Sequence, residues 1–94
     1  MKYCAVFTKT DEAIEVEFPD LACCVTFGYT QKEAYEMAVD ALHCWLEAAE
    51  PQFIKKPSPK DKIEKRFNGL NAYTLEIPVN SKLVKERNFE FANA

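Results

Sequence analysis

The stretch FPDLACCVTFGYTQKEAYEMAVDALHCWLE, residues 18–47, decides the fold because it joins a turn, a strand, a second turn and one amphipathic helix. Thr30 is a favourable N-cap, since its hydroxyl accepts a hydrogen bond from an amide of the first helical turn. Glu33, three residues later, is placed to accept a bond from the Thr30 amide, which completes a capping box. The sequence therefore predicts a helix over residues 31–49, about 28 Å long.

One face of this predicted helix is apolar. Hydrophobic residues recur there at helical spacing. They are Ala34, Met37, Ala38, Ala41, Leu42, Trp45 and Ala48. We therefore expect this face to pack on a sheet, with Trp45 in the core. Val39 and Leu46 point toward the opposite side, where one of them is expected to reach a dimer contact.

Three short strands are predicted before the helix. Residues 2–8 are apolar on both alternating faces, as in a central strand. Residues 13–18 alternate apolar side chains with Glu15 and Glu17, the pattern of a half-buried strand. Residues 23–27 form the third strand. Tight turns between the three predict an antiparallel meander.

After the helix, Pro57 and Pro59 predict that residues 55–66 form a polar, solvated connection. A fourth strand follows over residues 72–79, and Pro78 places it at a sheet edge because proline cannot donate to a ladder. The helix-bearing connection permits this strand to pair in parallel with an earlier one. The expected fold is α+β, a two-layer β-β-β-α-β arrangement with one long helix packed on the sheet.

We expect one domain over residues 1–80 and a tail over residues 81–94. Ser81 is a candidate cap for a short helix over residues 82–87. Phe89 and Phe91 would need to dock on the parent domain or on a second copy. Self-association, as a homodimer or larger, is therefore expected through this tail or through an exposed strand edge.

Composition fits a globular protein, with 94 residues of which 48% are hydrophobic and 13% aromatic. Residues 1–50 hold three basic residues against ten acidic ones, whereas residues 51–94 hold nine against five. The formal net charge of −3 argues against nucleic-acid binding by bulk charge. No run of about 18 apolar residues and no signal-peptide pattern occurs, so we expect a cytoplasmic protein without a membrane span.

The chain has four cysteines, Cys4, Cys23, Cys24 and Cys44. Without a secretion signal, reduced and mostly buried thiols are the expectation, and a redox role stays open. Cys23 and Cys24 are adjacent in a predicted strand and should point to opposite faces, so they would not easily chelate one ion together. No metal-ligand spacing occurs, and no cofactor is expected.

These residues resemble the HicB-like antitoxins of bacterial toxin–antitoxin pairs. The resemblance is carried by the strand 3–7, by VEFPDLACCVTFGYTQKEAYEMAVDAL at residues 16–42, and by Trp45-Leu46-Glu47. Family members show Phe-Pro-Asp-Leu, a small turn, Cys-Val-Thr, Gly-X-Thr and Trp-Leu at these offsets. Ala22 and Cys23 stand where the family usually has Pro-Gly, and Tyr29 stands where an acid is common.

The resemblance implies a partial ribonuclease-H-like sheet whose last strand lies beside the first, without that fold's metal-binding carboxylates. It also implies a non-catalytic protein that binds and blocks a small RNA-cleaving toxin of the HicA type. Many members carry a C-terminal DNA-binding domain. Residues 81–94 are too short for an ordinary one, so operator binding is not expected.

The acidic hairpin is the predicted partner-binding surface. A toxin that cleaves RNA binds phosphates and therefore presents a basic surface. Glu15, Glu17 and Asp20 would dock there by charge complementarity, which mainly accelerates association. Phe27 and Tyr29 would serve as aromatic anchors. Solvent-facing decoration is the simpler alternative for these side chains.

Two other function classes stay open. A small regulatory or nucleic-acid-binding protein would use the basic run within residues 55–66. Its cations are Lys55, Lys56, Lys60, Lys62, Lys65 and Arg66. A residual nuclease would need several acids that converge on metal ions from different strands. Glutamates alternating outward on one strand are more typical of a solvated face, so no enzyme activity is expected.

Overall fold

The computed structural model of the protein describes residues 1–67, 69, 71–80 and 82–83. Within this part of the chain, four strands and two α-helices follow one another, with a short 3-10 helix between the α-helices. They are β1 (Lys2–Lys9), β2 (Ile14–Glu17), β3 (Val25–Gly28), α1 (Gln31–Ala48), the 3-10 helix (Pro51–Phe53), α2 (Lys60–Phe67) and β4 (Ala72–Pro78).

The strands form one antiparallel sheet in the order β3-β2-β1-β4. The predicted α+β fold is confirmed, with β1 in a central position and the long helix on the sheet. The last strand lies beside the first, as the family resemblance implies. Its expected parallel direction is wrong, because β4 runs antiparallel to β1.

A second helix explains this direction. The Tyr3 hydroxyl donates to the Lys55 carbonyl near one end of β1, whereas the Lys9 amide donates to the Asn71 carbonyl at the other end. The chain between them contains α2, which therefore carries it back along the sheet before β4 begins. With α1 alone, β4 would have started at the opposite end and run parallel.

Pro78 lies on an edge strand, as predicted. Two hydrogen bonds flank the β1–β4 ladder: the Val79 amide donates to the Met1 carbonyl, and the Lys9 amide donates to the Asn71 carbonyl. Hydrogen-bonded pairs alternate along an antiparallel ladder, so the intervening Lys2–Pro78 pair turns its backbone groups outward. The amide that proline lacks would have faced the free edge, and the ladder loses no bond.

Helix α1 packs on one face of the sheet through a strip of four fully buried side chains, Ala34, Ala38, Leu42 and Leu46. Each four-residue step turns this strip by about 40° around the helix, so the contact line runs obliquely. Leu46 therefore lies in the core and is not the member of the Val39 and Leu46 pair that reaches a dimer contact. Val39 is partly buried against the same core, and its dimer contact stays a prediction. Met37, expected in the core, is 39% exposed, Ala48 is exposed and Trp45 is half-buried.

The N-terminus of α1 lies close to β3. A methyl group at Gly28 would come within 2.6 Å of the Ala34 Cα, so glycine is required for this approach. Thr30 is the N-cap, and its hydroxyl accepts a bond from the Glu33 amide at 3.1 Å. The Glu33 carboxylate accepts from the Tyr29 amide rather than from the predicted Thr30 amide.

The third strand starts two residues later than predicted. Cys23 has a φ of 61° and Cys24 donates its amide to the Leu21 carbonyl, so both cysteines belong to the turn before β3. A left-handed residue cannot continue a strand, and glycine adopts this conformation at the least cost. Cys23 therefore adopts a conformation that glycine would adopt at less cost.

Helix α2 covers part of the opposite sheet face, where Ile63 packs with Cys4 and Val6. The expectation of a loop throughout residues 55–66 is therefore wrong. Pro59 opens the helix, because its carbonyl accepts from the Lys62 and Ile63 amides. A helix start needs no amide from its first residues, so proline is well tolerated there.

His43 connects α1 to the segment after β4. Its Nε2 accepts from the Asn80 amide at 2.9 Å, so Nδ1 carries the proton and donates to the Val39 carbonyl at 2.7 Å. Leu83 follows and is buried in the core. The predicted Ser81 cap and the expected docking of Phe89 and Phe91 lie outside the described residues.

Among the residues that the structure describes, no helix is both long and apolar enough to cross a membrane.

The buried strip of α1 generates a prediction about stability. Leu46→Ala should lower the free energy of unfolding by about 2–5 kcal/mol, because it leaves a cavity under α1. Met37→Ala removes a similar volume from an exposed position and should cost less than about 1 kcal/mol. Urea denaturation measures both values. Equal losses would contradict the oblique contact line.

Tyr3 generates a prediction about alkaline pH. Burial, together with the charge of Asp20, raises the pKa of its phenol from 10.0 to about 12. The folded state favours the neutral phenol, so this contribution to stability is complete below pH 10 and is lost as the pH rises toward 12. Urea denaturation should show the unfolding free energy falling by about 2–3 kcal/mol more in the wild type than in Tyr3→Phe. Matching pH profiles for the two proteins would contradict this role.

Candidate partner-binding groove

Among the described residues, no helix covers one half of the sheet face opposite α1. Helix α2 contacts β1 and β4, whereas the same face of β2 and β3 borders a groove of about 860 Å³. We call this the β2–β3 groove. Its lining includes Val6, Thr8, Glu15, Glu17, Val25, Thr26, Phe27 and Tyr29. This groove is the candidate functional site.

The alternation of β2 places the acidic side chains in the groove. Ile14 and Val16 are buried under α1, so Glu15 and Glu17 face the other way and are exposed. Glu15 lies opposite Phe27 in the ladder, and Glu17 lies opposite Val25. Each carboxylate therefore has an apolar cross-strand neighbour.

The apolar side chains of the groove are unusually exposed. Val25 is 64% exposed, Phe27 49% and Tyr29 69%. The rings of Phe27 and Tyr29 meet edge to face, with centroids 5.6 Å apart and an interplanar angle of 84°. Aromatic pairs of this kind stay ordered while leaving area for a partner to cover. The groove thus contains a packed pair of exposed aromatic rings, Phe27 and Tyr29, beside the carboxylates of Glu15 and Glu17.

Four of the five predicted partner-binding residues, Glu15, Glu17, Phe27 and Tyr29, lie together in this groove. Asp20 lies apart from them, because its carboxylate accepts from the Ser58 amide and the Ser58 hydroxyl, both at 2.7 Å. It therefore anchors the segment that leads into α2. No local pattern signals this contact, since the two residues are 38 positions apart. Val25 is the most exposed apolar groove residue that the sequence prediction missed, although its period-two relation to Phe27 would have identified it.

The six cations of the basic run are all exposed. Four of them lie on α2, where Asp61 and Glu64 alternate with them and lower the local positive potential. The Arg66 guanidinium lies 5.2 Å from the centre of the Phe67 ring. A signal for this helix exists in the sequence: Pro59 at its start, Asp61 in the first turn, and Ile63 and Phe67 four residues apart.

The sequence profile of the HicB-like antitoxins of bacterial toxin–antitoxin systems matches residues 3–91. The chain belongs to this family. A search of curated proteins finds no match.

Solved structures show the same fold. A chain of the HicA3 and HicB3 toxin–antitoxin complex is 26% identical, with a TM-score of 0.55 over 84% of this chain and 100% of that chain. A chain of a toxin–antitoxin complex from Streptococcus pneumoniae is 19% identical, with a TM-score of 0.58 over 99% of this chain and 92% of that chain. The second likeness concerns the fold alone. The expected ribonuclease-H-like character of the sheet stays a prediction.

In the described part of the molecule, no three His, Cys, Asp or Glu side chains lie close enough together to hold an ion. The Cys4 thiol faces α2, and burial, with smaller contributions from Glu76 and Asp20, raises its pKa above the usual 9.0. A raised pKa favours the neutral thiol over the thiolate that metals require.

The two roles of the hairpin acids generate a prediction. Asp20→Ala should lower the free energy of unfolding by about 1–3 kcal/mol, because it removes the charged acceptor of two hydrogen bonds from Ser58. Glu17→Ala changes an exposed carboxylate and should shift stability by less than about 0.5 kcal/mol. Thermal denaturation of both variants measures the difference. A neutral Asp20→Ala variant would show that the Ser58 contact contributes little.

Proposed function

We propose that this HicB-like chain is a non-catalytic antitoxin that binds and neutralises a small, basic, RNA-cleaving toxin of the HicA type, and that the toxin docks in the β2–β3 groove. Family membership supports the antitoxin role. The observation that carries the choice of surface is the pair Glu15 and Glu17, set among exposed apolar side chains on the uncovered half of the sheet. The proposed place of action is the cytoplasm.

Charge supports the choice of partner. A protein that cleaves RNA has to hold phosphates, so its active surface carries lysine or arginine. Glu15 and Glu17 are two residues apart on one strand, which places them about 7 Å from each other along β2. A basic side chain of the toxin can meet both carboxylates there. Such pairing steers association, and it covers the cations that RNA would otherwise use.

Apolar contacts supply the remaining affinity in this proposal. Affinity at protein interfaces is concentrated in a few well-packed aromatic side chains, whereas exposed charges mainly affect the association rate. Phe27 and Tyr29 are already packed against each other, so less conformational freedom is lost when a partner covers them. Asp20 is left out of the proposed contact because Ser58 occupies its carboxylate.

The test uses the HicA-type toxin that this proposal expects to be encoded beside the chain. Isothermal titration calorimetry should show that the double variant Glu15→Lys/Glu17→Lys raises the dissociation constant by about 100-fold or more, since repulsion replaces two attractive contacts. The matched control Glu36→Lys/Asp40→Lys makes the same charge change on exposed positions of α1 and should leave the constant within about threefold of wild type.

Two outcomes would overturn the proposed surface. One is a groove double variant that binds as tightly as wild type. The other is an equal loss of affinity in the α1 control variant, which would show that the change in net charge alone weakens binding. Phe27→Ala separates the apolar contribution, because it should weaken binding mainly through faster dissociation.

We also propose self-association through the free edge of β3. The Phe18 amide donates to the Cys24 carbonyl, so hydrogen-bonded pairs recur at every second position of this ladder. Val25 and Phe27 fall between them and turn their amides and carbonyls toward the open edge. Sedimentation analysis at several concentrations tests whether copies of the chain associate.

The alternative function is nucleic-acid binding through Lys55, Lys56 and the cations of α2. One observation favours it: the helix fixes the spacing of four of these cations. Such binding would appear as a mobility shift with RNA or DNA that weakens steeply as salt increases. The acids within α2 make this the second choice.

A further inference from the structure

Two cysteines that the proposed function does not use lie on the two sides of the contact between the turn before β3 and α1. The thiol of Cys24 is buried and donates to the Ala41 carbonyl, with the sulfur 3.8 Å from the oxygen. Cys44 follows Ala41 by three residues on α1 and is exposed. Helical side chains lean toward the N-terminus, so the Cys44 thiol leans over the turn that contains Ala41. Cys44 thus lies on α1 within one helical turn of the carbonyl that the Cys24 thiol contacts.

Electrostatics supports this proximity. Burial raises the pKa of the Cys24 thiol to about 11, and the negative charge of the Cys44 thiolate contributes to the rise. The influence of one thiolate on another weakens with distance and is screened by solvent, so this contribution agrees with the placement of the Cys24 thiol at a carbonyl within one helical turn of Cys44. The other cysteines are placed differently. Cys4 lies on the opposite face of the sheet with Ile63, and Cys23 is exposed at a left-handed backbone position.

We propose that Cys24 and Cys44 form a disulfide site that responds to peroxides and joins the turn before β3 to α1. The exposed Cys44 reacts first: its thiolate attacks hydrogen peroxide, the O–O bond breaks, and a sulfenic acid and hydroxide form. The Cys24 sulfur then attacks the Cys44 sulfur, and the Cys24 proton leaves with the sulfenic hydroxyl group as water. The proton that Cys44 released on ionising neutralises the hydroxide from the first step. In sum, two thiols are oxidised to one disulfide and one peroxide is reduced to two waters.

The disulfide has a structural consequence. It closes a loop of about 20 residues that contains β3 and the first part of α1, which reduces the entropy of the unfolded chain. Oxidation should therefore raise the melting temperature by about 10 °C. It also fixes the outer strand of the β2–β3 groove to α1, while the side chains of Val25 and Phe27 stay on the other face of the sheet.

The experiment treats the reduced full chain with equimolar hydrogen peroxide, blocks free thiols and maps disulfides by mass spectrometry. The expected product is a monomer that has lost two hydrogens and yields a cross-linked peptide pair containing Cys24 and Cys44. Cys23→Ser is the matched control and should form the same disulfide. Cys44→Ser changes an exposed residue, so it should fold normally, form no intramolecular disulfide and show no rise in melting temperature.

Three results would overturn the proposal. They are a disulfide that uses Cys23 instead of Cys24, a disulfide only between two copies, and oxidation of Cys44 to sulfinic acid without a disulfide. The melting temperature gives a test that does not depend on the disulfide mapping. In the oxidised wild type, treatment with dithiothreitol should return it to the value of the reduced protein. If peroxide also raises the melting temperature of Cys44→Ser, the stabilisation comes from a group other than Cys44.

Discussion

The fold depends on the burial of β1 from both sides. Tyr3, Ala5 and Phe7 face α1, while Cys4 and Val6 face α2. A helix about 10 Å wide covers about two strands that are about 4.8 Å apart. Helix α2 therefore covers only β1 and β4, and no other helix of the described residues covers the same face of β2 and β3. The candidate groove is a direct consequence of placing one short helix on a four-stranded sheet.

This constraint also explains the different roles of acids in one hairpin. Glu15 and Glu17 alternate with core residues on β2, so the period of the strand turns them into the uncovered half of the face. Asp20 belongs to the turn that follows, within reach of the segment that carries the chain to α2. One acid thus helps to position the helix that limits the groove, and the other two lie inside it.

The turn between β2 and β3 combines an unusual backbone conformation with two contacts to α1. Cys23 occupies a left-handed position that glycine would adopt more easily. Cys24 closes the turn, and its thiol reaches the carbonyl of Ala41 on α1. Trp45, one turn further along α1, donates from its indole to the Ala22 carbonyl at 2.9 Å. The turn is therefore held to the helix by polar contacts from two successive helical turns.

The sequence by itself determined the elements whose signals are local. Thr30 and Glu33 define the start of α1, the alternation around Glu15 and Glu17 defines β2, and Pro78 assigns β4 to an edge. The motif around residues 16–42 was also sufficient to identify the family. Each of these signals depends on neighbours within a few residues, where backbone geometry and side-chain period leave few alternatives.

Only the tertiary structure decided which surfaces meet. The direction of β4 depends on α2, and the burial of Leu46 rather than Met37 depends on the oblique path of α1 over the sheet. The contact of Asp20 with Ser58 joins residues 38 positions apart, and the Cys24 contact with α1 likewise crosses between two elements. Such contacts arise from the packing of whole elements, and no local spacing along the chain encodes them.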